Sequence, residues 1–202
     1  MKISLVHSHS DIIELQNLFS AWAEFVVGKT NKEDVQTFAL NLFGNVAELR
    51  DELIGKTYKH GRYYSFYIND PKRRHIHKAE VRDRLLHHAI YRLLYPFFER
   101  TYISDSYSCR LGKGVYKAIL NFDIKSYKVS KNNTRTCWIL KCDIKKFFDS
   151  VDHKILLDIL GEYIPDRDLM GLLDNVIGSY HNETKHGVGL PLGNLTSQLF
   201  AN

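Results

Sequence analysis

The sequence predicts an α+β fold that is mainly helical, with one basic β-hairpin and a second, short sheet. Most of the chain repeats apolar residues at three- and four-residue steps, as amphipathic helices do. Two segments break that period. Residues 61–77 predict two short strands around an Asn-Asp-Pro turn. Residues 137–144, with the sequence CWILKCDI, form a mostly apolar, β-favouring run that is typical of a central strand.

Composition narrows the class of protein. The chain has 202 residues, 44% hydrophobic and 25% charged, which is ordinary for a soluble globular protein with a sizeable core. Its net charge of +5 favours a polyanionic partner. Three cysteines without CxxC spacing argue against a disulfide framework or a zinc site and favour the cytoplasm. No signal peptide and no run of about 18 apolar residues is present, so no membrane association is expected.

Helical periodicity predicts the remaining elements. The first helix spans residues 11–27 and ends at Gly28, and a second runs from an N-cap at Asn31 to Leu53; the two are expected to pair antiparallel. Further helices are predicted over residues 80–98, 115–124, 153–164 and 166–180, and from near Thr196. Pro96 is expected to kink or end its helix. Asp152 is the expected N-cap of the helix that begins at His153.

The segment LKCDIKKFFDSVDH, residues 140–153, carries the first candidate site. A carboxylate at Asp143, at the end of a buried strand, would point into a cleft and bind a hard cation such as Mg²⁺, with the Ile144 carbonyl as a further oxygen ligand. Phe148 would then wall the same cleft and exclude a ribose 2′-hydroxyl. The alternatives are structural: Asp143 as a strand-end or cap residue, and Phe147 with Phe148 as core.

Two further segments suggest binding rather than catalysis. PKRRHIHKAEVRDR, residues 71–84, concentrates six cations that suit a triphosphate or a nucleic-acid backbone, or simply form a solvated charged face. Its histidines, and the His87–His88 pair, lack the companions that a metal site needs. GLPLGNLTSQ, residues 189–198, places Gly193 where backbone can approach a ligand closely, ahead of a helix.

The order of these segments resembles prokaryotic reverse transcriptases, the class of group II intron and retron enzymes. The resemblance runs from about residue 11 to the end and is densest over residues 63–202. Most of these enzymes carry glutamine before the glycine of the last motif. Here Leu192 stands there and the motif ends in Ser-Gln, which resembles the reverse transcriptases of diversity-generating retroelements. In that family an aliphatic residue at this position accompanies misincorporation opposite template adenines.

The resemblance implies a role for each motif residue. Asp143 and the Ile144 carbonyl would bind Mg²⁺ in a two-metal site, with Asp143 catalytic. Deoxynucleoside triphosphates would contact Arg74, Phe148, Leu192 and Gly193. Nucleic acid would contact Lys72, Arg73, Arg82 and Arg84. For Arg82 and Arg84 the alternative is an internal ion pair with Asp83. The implied partners are an RNA template, a DNA primer and a small basic accessory protein.

The resemblance also implies a right-hand polymerase architecture with three parts. Residues 1–60 form an N-terminal helical segment, 61–135 the fingers and 136–202 part of the palm. The family's paired aspartates, in a motif resembling Tyr-x-Asp-Asp, do not occur in this sequence. Since a two-metal site needs both sets of carboxylates, we expect the 202-residue chain to be inactive alone. The alternatives are a non-catalytic nucleic-acid-binding module and a group II intron maturase-like protein.

Overall fold

The computed structural model describes residues 3–69 and 71–202. Ten helices and one hairpin are assigned among these residues. They are α1 (His9–Ile12), α2 (Leu15–Phe25), α3 (Glu33–Leu40), α4 (Leu42–Ile54), β1 (Tyr63–Asn69), β2 (Arg73–Ala79), α5 (Val81–Phe98), α6 (Val115–Val129), α7 (Phe147–Ser150), α8 (His153–Gly161), α9 (Arg167–Gly178) and α10 (Leu195–Phe200). Within this part of the chain, no helix is both long and apolar enough to cross a bilayer.

Helix α5 forms the centre of the core. It buries an apolar stripe that continues round most of its circumference, and α2 and α10 pack directly on it. Helices α8 and α9 pack on each other and close the core from the other side. Pro96 lies inside α5, which continues to Phe98 rather than ending at the proline. Helix α5 is thus buried on several faces. Strand β2 of the hairpin connects to it directly, through the N-cap Glu80.

The N-terminal helices differ from the prediction in their breaks. The predicted first helix is two helices separated at residues 13–14, and the second is interrupted at Asn41, whose backbone leaves the helical region. Lys32, not Asn31, is the N-cap of α3. The predicted pairing of the two N-terminal helices is secondary, because α2 packs mainly on α5. An apolar period identifies a buried face but not the element that covers it.

The hairpin forms as predicted. Strands β1 and β2 pair antiparallel from Tyr63 opposite Ala79 to Asn69 opposite Arg73. The predicted turn includes Asp70, which lies outside the described residues. Side chains alternate between the two faces of the hairpin. Tyr67 and His75 therefore share one face, while Ile76 and Lys78 lie on the other.

The predicted central strand over residues 137–144 is wrong, and with it the short palm sheet. Among the described residues, this segment pairs with no strand and makes no backbone hydrogen bond. Trp138 is 92% exposed and Leu140 is 88% exposed, so the apolar run is not buried. The neighbouring helix α6 also buries none of its residues. A strand needs a partner for its backbone groups, and apolar composition does not supply one.

Candidate nucleotide-binding cleft

A cleft of about 810 Å³ opens along one face of the hairpin, and we call it the hairpin cleft. Three segments line it: the hairpin, residues 146–150 and the loop that follows α9. The backbone holds the last two together, since Leu190 N–H donates to Phe148 O at 2.8 Å and Gly189 N–H to Val151 O at 2.8 Å. The segments LKCDIKKFFDSVDH and GLPLGNLTSQ, far apart in sequence, therefore meet beside the basic hairpin.

One wall of the hairpin cleft is a row of neighbouring rings, of which the first two are stacked and the others tilted. Tyr67 and His75 stack with ring centroids 4.3 Å apart and an interplanar angle of 10°. His77 follows at 4.3 Å from His75, and Tyr180 at 4.8 Å from His77. The Tyr180 hydroxyl lies 3.1 Å from His77 Nε2. Burial, with a smaller effect of His75, lowers the pKa of His77, which favours its neutral form at neutral pH.

Cations line the outer end of the hairpin cleft. Arg73 and Arg74 both contribute to its lining, and the Arg73 guanidinium lies 4.0 Å from the centroid of the Tyr67 ring. Lys72 is exposed in the turn and is not part of the lining. Guanidinium groups bind phosphate oxygens bidentately. The hairpin cleft thus combines a site for anionic oxygens with a wall of tyrosine and histidine rings.

The loop of Leu192 and Gly193 borders the cleft on its inner side. Leu192 lines the cleft, and its carbonyl accepts a 2.8 Å hydrogen bond from His77 N–H. Asn194 Nδ2 donates to His77 O at 2.9 Å, so the backbone of one strand residue anchors the loop twice. Gly193 has φ of +110°, and a Cβ there would lie 2.8 Å from Ile76 Cγ2. The sequence motif therefore fixes how closely the loop approaches the hairpin.

The structure places Asp143 differently from the prediction. Asp143 is exposed in the unpaired segment and does not line the hairpin cleft, and Ile144 is 67% exposed. Phe148 is half-buried in the short helix α7, packs against the core and meets Phe147 edge-on at 5.6 Å. It does not line the cleft either, whereas the adjacent Asp149 does. Asp143 is therefore not held at the end of a buried strand, as the prediction required.

A complete magnesium site is not formed by the described residues. Mg²⁺ takes six oxygen ligands in near-octahedral geometry. No group of three or more His, Cys, Asp or Glu side chains is arranged to hold a metal in residues 3–69 and 71–202. Asp143 with the Ile144 carbonyl supplies at most a fraction of such a set. The present donor set therefore does not fit the two-metal arrangement.

Arg82 and Arg84 form internal ion pairs. Arg82 Nη1 donates to both Glu52 oxygens at 2.8 Å, and its Nε lies 3.7 Å from Asp83. Arg84 Nη2 donates to Asp34 at 2.5 Å. The pairing predicted with Asp83 thus holds for Arg82 only weakly, and each arginine has a closer acidic partner. Both residues link α5 to the N-terminal helices.

A buried polar chain ties α5 to the helix after the loop. Asp83, fully buried, accepts hydrogen bonds from the Tyr58 hydroxyl at 2.8 Å and Gly61 N–H at 3.0 Å. His60 Nε2 lies 3.1 Å from His87 Nε2, and His87 Nδ1 lies 3.1 Å from Thr196 Oγ1. Burial, with His60 and His88 nearby, lowers the pKa of His87 to about 3. A neutral histidine thus fixes the start of α10.

Sequence reasoning missed the rings that line the hairpin cleft. The alternation of Tyr63, Ser65 and Tyr67 on β1, opposite His77 and His75 on β2, was a usable signal, because alternate strand residues share a face. Tyr180 had no such signal. It reaches the cleft only because the loop after α9 folds back on residues 147–151.

Comparison with known proteins begins with sequence. No protein-family model matches the chain. It is 28% identical over 160 residues to protein YkfC of Escherichia coli K12. This match covers 76% of the present chain and 42% of YkfC. It is also 28% identical over 93 residues to nuclear intron maturase 1, mitochondrial, of Arabidopsis thaliana, covering 46% of this chain and 12% of the maturase. The chain thus spans less than half the length of these relatives.

The fold is shared with a solved structure. A chain of the partial Cas6-RT-Cas1–Cas2 complex, in which RT denotes reverse transcriptase, matches with a TM-score of 0.64 and 21% identity. The match covers 97% of this chain and 33% of that chain. At this identity the likeness concerns the fold. The chain thus resembles that chain of the complex in fold and an intron maturase in sequence.

Proposed function

We propose that this chain provides the nucleotide-binding fingers and part of the palm of an RNA-directed DNA polymerase of a diversity-generating retroelement. The observation that carries the proposal is the hairpin cleft, where Arg74 and Leu192, distant in sequence, line one cavity. The motif order and the reverse-transcriptase-like fold support it. Polymerisation belongs to the whole protein, of which this chain is the nucleotide-binding portion.

The lining of the hairpin cleft suits a deoxynucleoside triphosphate. Arg73 and Arg74 would hold the phosphates, and the row of rings would stack on the base. The side chain of Leu192 offers no hydrogen-bonding group at the inner end of the cleft. Selectivity that depends on hydrogen bonds to a substrate falls when the protein group cannot make them. This supports low fidelity as a property of the cleft.

Nucleotide binding can be tested with the chain itself. We expect Arg74→Gln to weaken the binding of a deoxynucleoside triphosphate about tenfold, because a charge-assisted bidentate contact is lost. Arg62→Gln is the matched control, since Arg62 is exposed just before the same hairpin and does not line the cleft. Isothermal titration calorimetry measures both. Equal weakening by the two variants would mean that general positive charge, not the cleft, binds the nucleotide.

Fidelity is tested in the protein expressed from its complete reading frame. Leu192→Gln should lower misincorporation opposite template adenine, as an amide restores hydrogen bonding to the incoming nucleotide. Primer extension on an RNA template, followed by sequencing, gives the error spectrum.

Asp143→Ala should abolish extension without changing nucleotide binding. An unchanged spectrum, or extension that survives Asp143→Ala, would contradict the respective assignment.

A maturase-like role in RNA binding is the second candidate. The similarity to an intron maturase and the exposed position of Asp143 outside the cleft favour it. Such a protein would bind structured RNA and assist splicing without nucleotidyl transfer. Intron splicing that is unaffected by Asp143→Ala, together with no extension activity, would select this function over the polymerase.

A further inference from the structure

A second cavity lies on the other side of the Leu192–Gly193–Asn194 loop, and we call it the basic cavity. Its volume is about 220 Å³. It is lined by Phe25, Lys29, Lys78, Arg84, His87, His88, Gly193, Asn194, Leu195 and Gln198. Lys78 and Ile76 lie on the face of the hairpin opposite Tyr67 and His75. The hairpin therefore separates the basic cavity from the hairpin cleft.

Positive charge in the basic cavity is only partly compensated. Lys29, Lys78 and Arg84 line it, and Asp34 is the carboxylate that pairs with two of them, accepting from Lys78 Nζ at 2.6 Å and from Arg84 at 2.5 Å. Lys29 Nζ donates to a backbone carbonyl, Phe25 O, at 2.7 Å. The lining histidines do not add charge at neutral pH, because burial lowers the pKa of His87 to about 3 and of His88 to about 4. The cavity is therefore suited to an anion.

Two of the residues that line the basic cavity each have a buried polar atom without a hydrogen-bond partner among the described residues. These atoms are Arg84 Nε, a donor, and Asn194 Oδ1, an acceptor. Asn194 is 2% exposed, and its amide orientation is fixed because Nδ2 donates to His77 O, which can only accept. A buried polar atom without a partner is costly and needs an explanation. A ligand that satisfies both must accept at one point and donate at another.

We propose that the basic cavity binds one backbone unit of an RNA strand, with the phosphate on Arg84, Lys29 and Lys78 and the 2′-hydroxyl donating to Asn194 Oδ1. This deepens the proposed function, on which it rests, by giving the template path a means of recognising RNA. DNA offers the phosphate but no 2′-hydroxyl donor. A free anion without a hydroxyl would leave Asn194 Oδ1 unpaired.

Size and access favour a unit of a strand over a free nucleotide. The cavity is smaller than the roughly 300 to 1,000 Å³ of typical small-molecule sites. It is graded from mouth to floor: the Lys78 side chain is 39% exposed, the Arg84 side chain 13%, and Asn194 2%. A strand passing the mouth can thus place one phosphate and its neighbouring sugar inside while the bases remain outside.

The ligand can be varied without changing the protein. Fluorescence anisotropy would compare the chain's affinity for a single-stranded RNA of about 12 nucleotides with that for the same sequence carrying 2′-fluoro groups. Fluorine keeps the size and sugar conformation of the hydroxyl but cannot donate. We expect the RNA to bind about three- to tenfold more tightly, as for one buried hydrogen bond. Equal affinities overturn the 2′-hydroxyl contact and leave a trapped water as the partner of Asn194.

Protein variants test the location. Asn194→Ala should remove the preference for RNA over 2′-fluoro RNA. Lys29→Gln should reduce the slope of log affinity against log salt by about 0.7, the value for one lost phosphate contact on a single strand. The matched control is Lys154→Gln, an exposed lysine on α8 that lines neither cavity and should leave the slope unchanged. Equal slopes for the two lysine variants overturn the site.

Failure of the cavity and failure of the polymerase function give different results. The binding measurements use the chain without nucleotide or primer, so absence of extension activity does not affect them. A protein that extends primers but binds RNA and 2′-fluoro RNA equally overturns the cavity alone. If Asn194→Ala does not fold, the comparison of the two oligonucleotides with the unchanged chain still decides the 2′-hydroxyl contact.

Discussion

Two independent constraints act on residue 193. Its φ of +110° is in a region that residues with a Cβ rarely adopt, and Ile76 occupies the space that a Cβ would need. Gly187 has φ of +72° with no atom within 4 Å of the Cβ position, so it meets only the first constraint. The two glycines therefore separate backbone strain from steric exclusion.

Gly193→Ala should lower the free energy of unfolding by about 1 to 3 kcal/mol, through strain at φ and contact with Ile76. Gly187→Ala should cost about 1 kcal/mol, because only the backbone term applies. Urea unfolding measures both. In a protein that already carries Ile76→Ala, Gly193→Ala should lower the free energy of unfolding by less than it does in the unchanged chain. Purely additive effects would contradict the contact.

The candidate site was only partly predictable at the level of residues. Arg74 and Leu192 could be found because each belongs to a motif whose chemistry shows in the sequence, a run of cations or a glycine loop. Tyr180 and Lys29 could not, because they reach their cavities through the packing of a loop and of α2 against distant elements. Asp143 lies in the predicted motif, but its orientation depends on a sheet that the described residues do not form.

Helices and the hairpin were predictable as elements, whereas the central strand was not. A helix satisfies its own backbone, and a hairpin carries its partner strand across a short turn, so local sequence suffices for both. Residues 137–144 depend on a partner that local sequence does not specify. The same holds for α6, whose apolar residues Ile119 and Phe122 are 53% and 49% exposed. The predicted second helix is interrupted at Asn41, and the spacing of its apolar residues did not indicate this break.

Hydrogen exchange tests the unpaired state of residues 137–144. In the isolated chain their amides should exchange at nearly the rate of an unstructured peptide, because they make no backbone hydrogen bonds within the described residues. Peptides from the centre of α5 serve as the protected reference. Mass spectrometry resolves the two segments. Protection of residues 137–144 comparable to that of α5 would mean that this segment is paired in solution.

Across the whole molecule, stability depends on keeping a buried histidine neutral. His87 is 1% exposed and bridges His60 and Thr196, so it joins α5, the approach to the hairpin and α10. Its pKa in the folded chain, about 3, is well below the ordinary histidine pKa of 6.5. The unfolded chain therefore binds a proton in this range that the folded chain does not, and stability is lost as pH falls below about 6.5.

The free energy of unfolding should fall by about 2 kcal/mol between pH 7 and pH 5 through His87 alone, with a further contribution from His88, whose pKa of about 4 also lies below this window. Urea unfolding at the two pH values measures the change. His87→Asn, whose side chain does not titrate in this range, should show a shallower loss. A pH dependence as steep as that of the unchanged chain would exclude His87 as its source.

The double anchorage of the loop at His77 has a consequence for communication between the two cavities. The His77 N–H donates to the Leu192 carbonyl, and the His77 carbonyl accepts from Asn194. Strand β2 is therefore a wall that the hairpin cleft and the basic cavity share. If RNA bound in the basic cavity changes the affinity for nucleotide, linkage requires that bound nucleotide change the affinity for RNA by the same factor. We therefore expect substitutions at His77 to affect both proposed binding sites.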